Sequence, residues 1–171
     1  SAAGLPCTVF VVPGRVGTDN DWGGQPEEGI PTLPLLDWDQ LGALAEGGVS
    51  LGAHTMSHPR LTHLPAPEAE AEITASASRI ADRTGQRPVA FAYPYGDYDD
   101  AVVDMAERHF RVAVTADFAL LTASTSAHRI PRLDMVYFRN PVRLAAWGSS
   151  AFRRYLKLRQ VGRWVGVRVR R

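Results

Sequence analysis

The chain is 171 residues long, 45% apolar and 22% charged, with a formal net charge of +1. That length accommodates one domain with a substantial core and is short for two ordinary ones. The single cysteine, Cys7, excludes an internal disulfide framework, and no apolar run is long enough to cross a bilayer.

In chain order, residues 7–12 (Cys-Thr-Val-Phe-Val-Val) read as a buried strand. The chain opens on this strand with no secretory leader, and so reads as a piece of a longer precursor or a trimmed form. Residues 16–35 form a long loop rich in Gly, Pro and Asp that carries Trp22; loops of that length are usually functional or disordered. Asp37 is placed to cap a helix over 38–46, with Leu41, Leu44 and Ala45 on one face and Gly47-Gly48 at its end. Residues 49–53 read as the next strand. Pro67 begins a helix whose first turns are acidic (Glu68, Glu70, Glu72), which suits the helix dipole; Ile73, Ala77 and Ile80 mark its inner face and Gly85 its end. A strand over 89–93, a helix over 100–108, a strand over 110–115 and a further strand over 130–135 follow. Asp97, Asp99 and Asp100 read as caps of the third helix. Alternating apolar strands and helices predict an α/β fold with a parallel sheet. The pattern does not separate an open sheet from a barrel.

The stretch with most chemistry is Leu51-Gly52-Ala53-His54-Thr55-Met56-Ser57-His58-Pro59. Two histidines four apart, after a short apolar strand, point the same way if the residues between them make a tight bend. Imidazole is the commonest transition-metal ligand, and the pair would supply two legs of a site; Pro59 fixes the turn just after it. Thr55 or Ser57 is placed to hold a ring N–H. A plain surface loop with two histidines is the competing reading. A second stretch, Phe91-Ala92-Tyr93-Pro94-Tyr95-Gly96-Asp97, also follows an apolar run. Both stretches fall at the C-terminal ends of successive strands, where active sites of α/β barrels sit.

Together, His54-Thr55-Met56-Ser57-His58-Pro59 and Tyr93-Pro94-Tyr95-Gly96 resemble the second and third motifs of the polysaccharide deacetylase family, the enzymes with the NodB-type domain, also called carbohydrate esterase family four. The resemblance runs from about residue 4 to residue 134. It implies a distorted (β/α) barrel of about seven strands and metal-dependent hydrolysis of N- or O-acetyl groups on a polysaccharide or glycan. It implies a divalent metal, zinc by expectation, on His54 and His58. It gives Tyr95 as the backbone N–H donor to the oxyanion, and substrate contacts from Tyr93, Pro94 and Tyr95. Thr55 and Arg132 would support the site from behind. The family's first motif, a strand with two aspartates that supply the base and the third ligand, has no counterpart here. The chain is therefore expected to lack the first barrel strand and the catalytic base, and to be nearly inactive by itself. Where the third motif often carries an arginine this chain has Ala92. The late histidine that acts as acid has no clear counterpart either: His109 and His128 read as structural, and His63 as a loop residue. A non-catalytic relative that binds glycan or acts as a scaffold is the alternative.

Some residues keep two readings. Trp22 either stacks on a sugar ring or pins its loop to the core. Arg132 either pairs with an active-site carboxylate or is a surface residue. The sequence divides into a deacetylase-type domain over 1–138 and a basic tail over 139–171. The tail holds ten Lys and Arg and no acidic residue, against nine basic and eighteen acidic in the rest. It reads as a basic amphipathic helix, either packed on the domain or lying on an anionic membrane surface or acidic partner; nucleic acid is not expected. Val165, Val167 and Val169 also alternate as a strand would, which offers a cover for the exposed edge of the first strand. Left uncovered, that edge is expected to leave a groove and to favour a homodimer. Localisation follows from any upstream signal: cell envelope or secreted with one, cytoplasmic without.

Overall fold

A computed structural model describes residues 6–21, 31–134 and 140–169, with side chains described as far as Arg159 in the last helix. The elements in order are β1 (Thr8–Val11), α1 (Trp38–Glu46), β2 (Ser50–Ala53), α2 (Ala66–Thr84), β3 (Ala90–Ala92), α3 (Asp100–His109), β4 (Val112–Val114), α4 (Pro141–Ala145) and α5 (Ser150–Val169). The four strands form one parallel sheet in the order β1-β2-β3-β4. This is an α/β fold built on a parallel sheet, as the sequence pattern predicts.

Local chemistry explains the elements. Helix α1 starts on a capping box: Asp37 accepts from the Gln40 amide at 2.8 Å, and the Gln40 side chain accepts from the Asp37 amide at 2.9 Å. Three consecutive residues of β2, Leu51 to Ala53, are buried, as expected for a strand covered on both faces. Phe91, Ile73, Ala77, Ile80 and Ala106 are fully buried and share one core with Leu41, Val102, Val103, Met105 and Phe110. Val102, Val103, Met105 and Ala106 of α3 are thus all inside.

Two expectations need correction. The strand expected over 130–135 reduces, among the described residues, to one parallel bridge between Val114 and Ile130. Pro131 follows directly and has no N–H to continue the ladder; residue 135 lies outside the described residues. The last residues of the tail are not a strand: α5 runs as helix to Val169, so the alternating valines do not extend along the sheet. The chain forms two compact units, one of residues 1–115 and 126–130, the other of 116–125 and 131–171. The reason lies in a small second core, where Phe118 and Leu133 pack against Phe152 and Leu156 of α5.

Among the described residues β1 pairs only with β2. Along it runs a groove of about 300 Å³ lined by Val9, Phe10, Val11, Val12, Val16, Leu35, Leu36, Leu41 and His54. Residues 18–20 and 33–35 are tied to each other: the Leu33 amide donates to Asn20 Oδ1 at 2.6 Å and the Leu35 amide to the Thr18 carbonyl at 2.7 Å.

Candidate active site

Strand β2 ends at Ala53, and His54 follows with its amide still donating to the Val11 carbonyl of β1 at 3.0 Å. The chain then turns sharply. Thr55 and His58 both adopt positive φ, 61° and 68°. For a β-branched threonine this is a costly backbone state, held only when its surroundings over-determine it. Three sets of contacts do so. The Thr55 hydroxyl donates to the His54 carbonyl at 2.6 Å and accepts from the His58 amide at 3.0 Å. The half-buried Glu72 carboxylate of α2 accepts from the Met56 amide (2.8 Å), the Ser57 amide (2.9 Å) and the Ser57 hydroxyl (2.7 Å). The Gly14 amide, in the turn after β1, donates to the Met56 carbonyl at 2.9 Å. That approach leaves no room for a side chain, since a Cβ on Gly14 would stand 2.5 Å from the Met56 oxygen.

The turn brings the two imidazoles together. His54 Nδ1 lies 2.7 Å from the Ala92 carbonyl of β3. A carbonyl only accepts, so Nδ1 carries the proton and the lone pair sits on Nε2. That Nε2 faces His58 Nε2 at 3.1 Å, with ring centroids 4.7 Å apart. Two nitrogens each about 2.0–2.1 Å from one ion are about 2.9 Å apart at a right angle and about 3.3 Å apart at the tetrahedral angle. The observed spacing falls between these limits, so the pair fits a shared divalent cation. His58 is 7% exposed. Burial, reinforced by the neighbouring His54, pulls its pKa down to about 4, so it is neutral, as a ligand must be. Among the described residues no group of three His, Cys, Asp or Glu assembles.

The second motif closes one side. Tyr95 also has positive φ (58°) and its ring packs edge-on against His58, centroids 4.6 Å apart. Thr55, His58 and Tyr95 are the three non-glycine residues with positive φ among those described, and the His58–Tyr95 contact joins the two motifs. The Arg60 guanidinium lies 4.5 Å above the Tyr95 ring. Of the trio expected to meet substrate, Tyr95 is exposed, whereas Tyr93 and Pro94 are fully buried. Tyr93 is a core residue: its hydroxyl donates to the His128 carbonyl at 2.9 Å, and burial pushes its phenol pKa up. Its side chain presents no surface to a ligand. Asp97 does not cap α3; it accepts from the Thr62 hydroxyl at 2.6 Å, tying the two motif loops together, and Asp99 is the cap.

Trp22 lies outside the described residues. Arg132 belongs to the second unit. His63 is exposed in a short turn. His109 pairs with Glu70 at 3.1 Å, and His128 contacts the Phe110 carbonyl at 2.9 Å and Glu107 at 3.4 Å. Sequence reasoning missed Glu72, Gly14 and Arg60. Glu72 had a signal: it falls three residues after Ala69 and four before Ser76, on the buried stripe of α2. A carboxylate on an inward stripe needs a partner.

The polysaccharide deacetylase family model matches residues 1–112. No curated protein matches the chain in sequence. Solved structures share its fold. The deacetylase domain of BpsB from Bordetella bronchiseptica superposes with a TM-score of 0.63 at 20% identity, over 77% of this chain and 61% of that one. The polysaccharide deacetylase BC0361 from Bacillus cereus gives 0.61 at 20% identity, over 78% and 39%. The Streptococcus pyogenes deacetylase PplD, solved in complex with acetate, gives 0.60 at 22% identity, over 75% and 54%. The matched region thus spans between 39% and 61% of these solved chains.

Proposed function

The chain belongs to the polysaccharide deacetylase family, and from that premise we propose that it carries the metal-holding part of a site that hydrolyses N- or O-acetyl groups on a polysaccharide or glycan. The observation that carries this reading is the convergence of His54 Nε2 and His58 Nε2 at 3.1 Å, with His54 oriented by the Ala92 carbonyl. A divalent ion, zinc on this reading, supplies Lewis-acid polarisation of the acetyl carbonyl and acidifies a water. The protein's own part begins with His54, whose Nδ1 proton is held by a main-chain acceptor so that Nε2 stays basic. His58 keeps its proton off Nε2, or carries it on Nδ1, whenever that nitrogen serves as a ligand. Tyr95, held in its left-handed turn against the His58 ring, offers its backbone N–H to the oxyanion, while its exposed ring and Arg60 wall the place where sugar would lie. Thr55 fixes the backbone between the two ligands. Among the described residues no group of three His, Cys, Asp or Glu assembles, and this reading takes the general base from elsewhere. That same observation favours one second reading, a non-catalytic relative that binds glycan.

Two measurements test this. Calorimetry with zinc on the parent, His54→Ala and His58→Ala chains should show affinity lost in both variants; unchanged affinity in both overturns the ion site. Acetate release from acetylated chito- and xylo-oligosaccharides separates hydrolase from binder. A missing base alone lowers turnover about 10²–10⁴-fold, so weak release abolished by chelation supports the hydrolase. Oligosaccharide binding with no release at any zinc concentration supports the binder.

A further inference from the structure

We propose that the second unit, through α4 and the first half of α5, is a docking surface for an anionic phospholipid bilayer. The unit of residues 116–125 and 131–171 holds eleven Lys and Arg and two acidic residues, Asp117 and Asp134. The rest of the chain holds eight basic and sixteen acidic, so the positive charge is segregated here.

The apolar surface is segregated in the same place. Ten large apolar side chains are exposed among the described residues, and six belong to this smaller unit: Leu120, Leu121, Val142, Leu144, Trp147 and Leu158. Val142 is 75% exposed, Leu158 68% and Trp147 57%. Helix α4 buries none of its residues. Helix α5 turns Phe152 and Leu156, four apart, into the small core; Leu158 lies outside that stripe, next to Lys157 and four residues beyond Arg154. No carboxylate pairs with Arg143, Arg153, Arg154 or Lys157 among the described ion pairs. Arg143 instead lies over the Tyr155 ring, and Arg153 donates to the Gly148 carbonyl.

Bare aliphatic side chains, an exposed tryptophan and Arg and Lys without a carboxylate partner among the described ion pairs are the composition of an interfacial segment. None of the described helices is long and apolar enough to cross a membrane, so the contact is with the surface. A nucleic acid would answer the charge but would leave Val142, Leu144 and Leu158 without a partner. A bilayer with acidic headgroups answers both.

Flotation of the full chain with vesicles tests the proposal, using pure phosphatidylcholine and phosphatidylcholine containing about one third phosphatidylglycerol. Binding is expected to the acidic vesicles only and to weaken as salt is raised. Each basic residue at such a surface is worth about fivefold in partitioning, so Arg154→Gln with Lys157→Gln should weaken binding about 25-fold. Leu158→Glu, at an exposed position, should abolish it without lowering the melting temperature. Absence of binding to acidic vesicles, or equal binding to neutral ones, overturns the proposal. So does binding that Leu158→Glu leaves unchanged. Duplex DNA bound more tightly than vesicles, with Leu158→Glu indifferent, overturns it in favour of nucleic acid.

Discussion

Glu72 is the most informative single substitution, because it touches neither proposed ligand yet holds the turn between them. Its carboxylate accepts three hydrogen bonds from Met56 and Ser57. The turn it clamps contains Thr55 and His58 in left-handed backbone states, each costing of order 1–3 kcal/mol. Glu72→Ala removes the clamp and leaves the strain. Three partly exposed hydrogen bonds at about 1 kcal/mol net each give a loss of about 3 kcal/mol. For a chain of this size that is a fall of about 6–12 °C in melting temperature. Displaced outer partners of metal ligands typically cost about 10–100-fold in metal affinity, and the same is expected here. Glu72→Gln is the control. Its amide oxygen can replace Oε2 and accept from both backbone amides, and its NH₂ can donate to the Ser57 oxygen. Only charge assistance is lost, about 1 kcal/mol. Thermal melts and zinc calorimetry on parent, Gln and Ala chains decide the matter. An Ala variant that melts with the parent and binds zinc as tightly refutes the clamp.

Four other outcomes are expected. Gly14→Ala forces a Cβ to 2.5 Å from the Met56 carbonyl, a main-chain atom, and should destabilise by about 1–3 kcal/mol. Gly52→Ala meets the Phe10 ring at 2.6 Å, but that ring borders the β1 groove and can swing, so urea melts should rank it milder than Gly14→Ala; the reverse order would be unexplained. In the metal-free chain His58 has a folded pKa of about 4 against 6.5 unfolded, so only the unfolded chain takes up its proton between those values. Stability should therefore fall as pH drops from 6.5 to 4, by roughly 3 kcal/mol at most; urea titrations of His58→Gln that keep the same slope assign it to another group. The edge of β1 that pairs with no strand among the described residues should support concentration-dependent association, read by light scattering and suppressed by Val9→Lys; a parent chain monomeric at every concentration rules this out.

What the sequence made legible was local. The bounds of α1 are those read from Asp37 and Gly47 because a capping box is written in adjacent residues. The strand-end position of His54 was likewise plain from an apolar run meeting a turn. The burial of Tyr93 was also legible, since strand parity puts it on the same side as Phe91, a core residue. Asp97 and Glu72 were read as helix-end charges because their partners, Thr62 and the 56–57 backbone, are distant in sequence. The tail valines alternate as a strand would, yet the backbone there is helical through Val169. Long-range pairing is what a single sequence does not write down.

The hydrogen bond from His54 to the Ala92 carbonyl has one more consequence. Its acceptor belongs to the main chain, and no point substitution removes a carbonyl. The ring tautomer is therefore set by the alignment of β2 with β3, Ala53 opposite Phe91, and not by the identity of residue 92. Ala92 is itself fully buried, so a larger or charged side chain there would reach the histidine only by disturbing the sheet. Only a slip of one strand against the other would disarm it, and such a slip would turn Phe91 out of the core. The proton on His54 is thus insured by the same burial that holds the sheet in register.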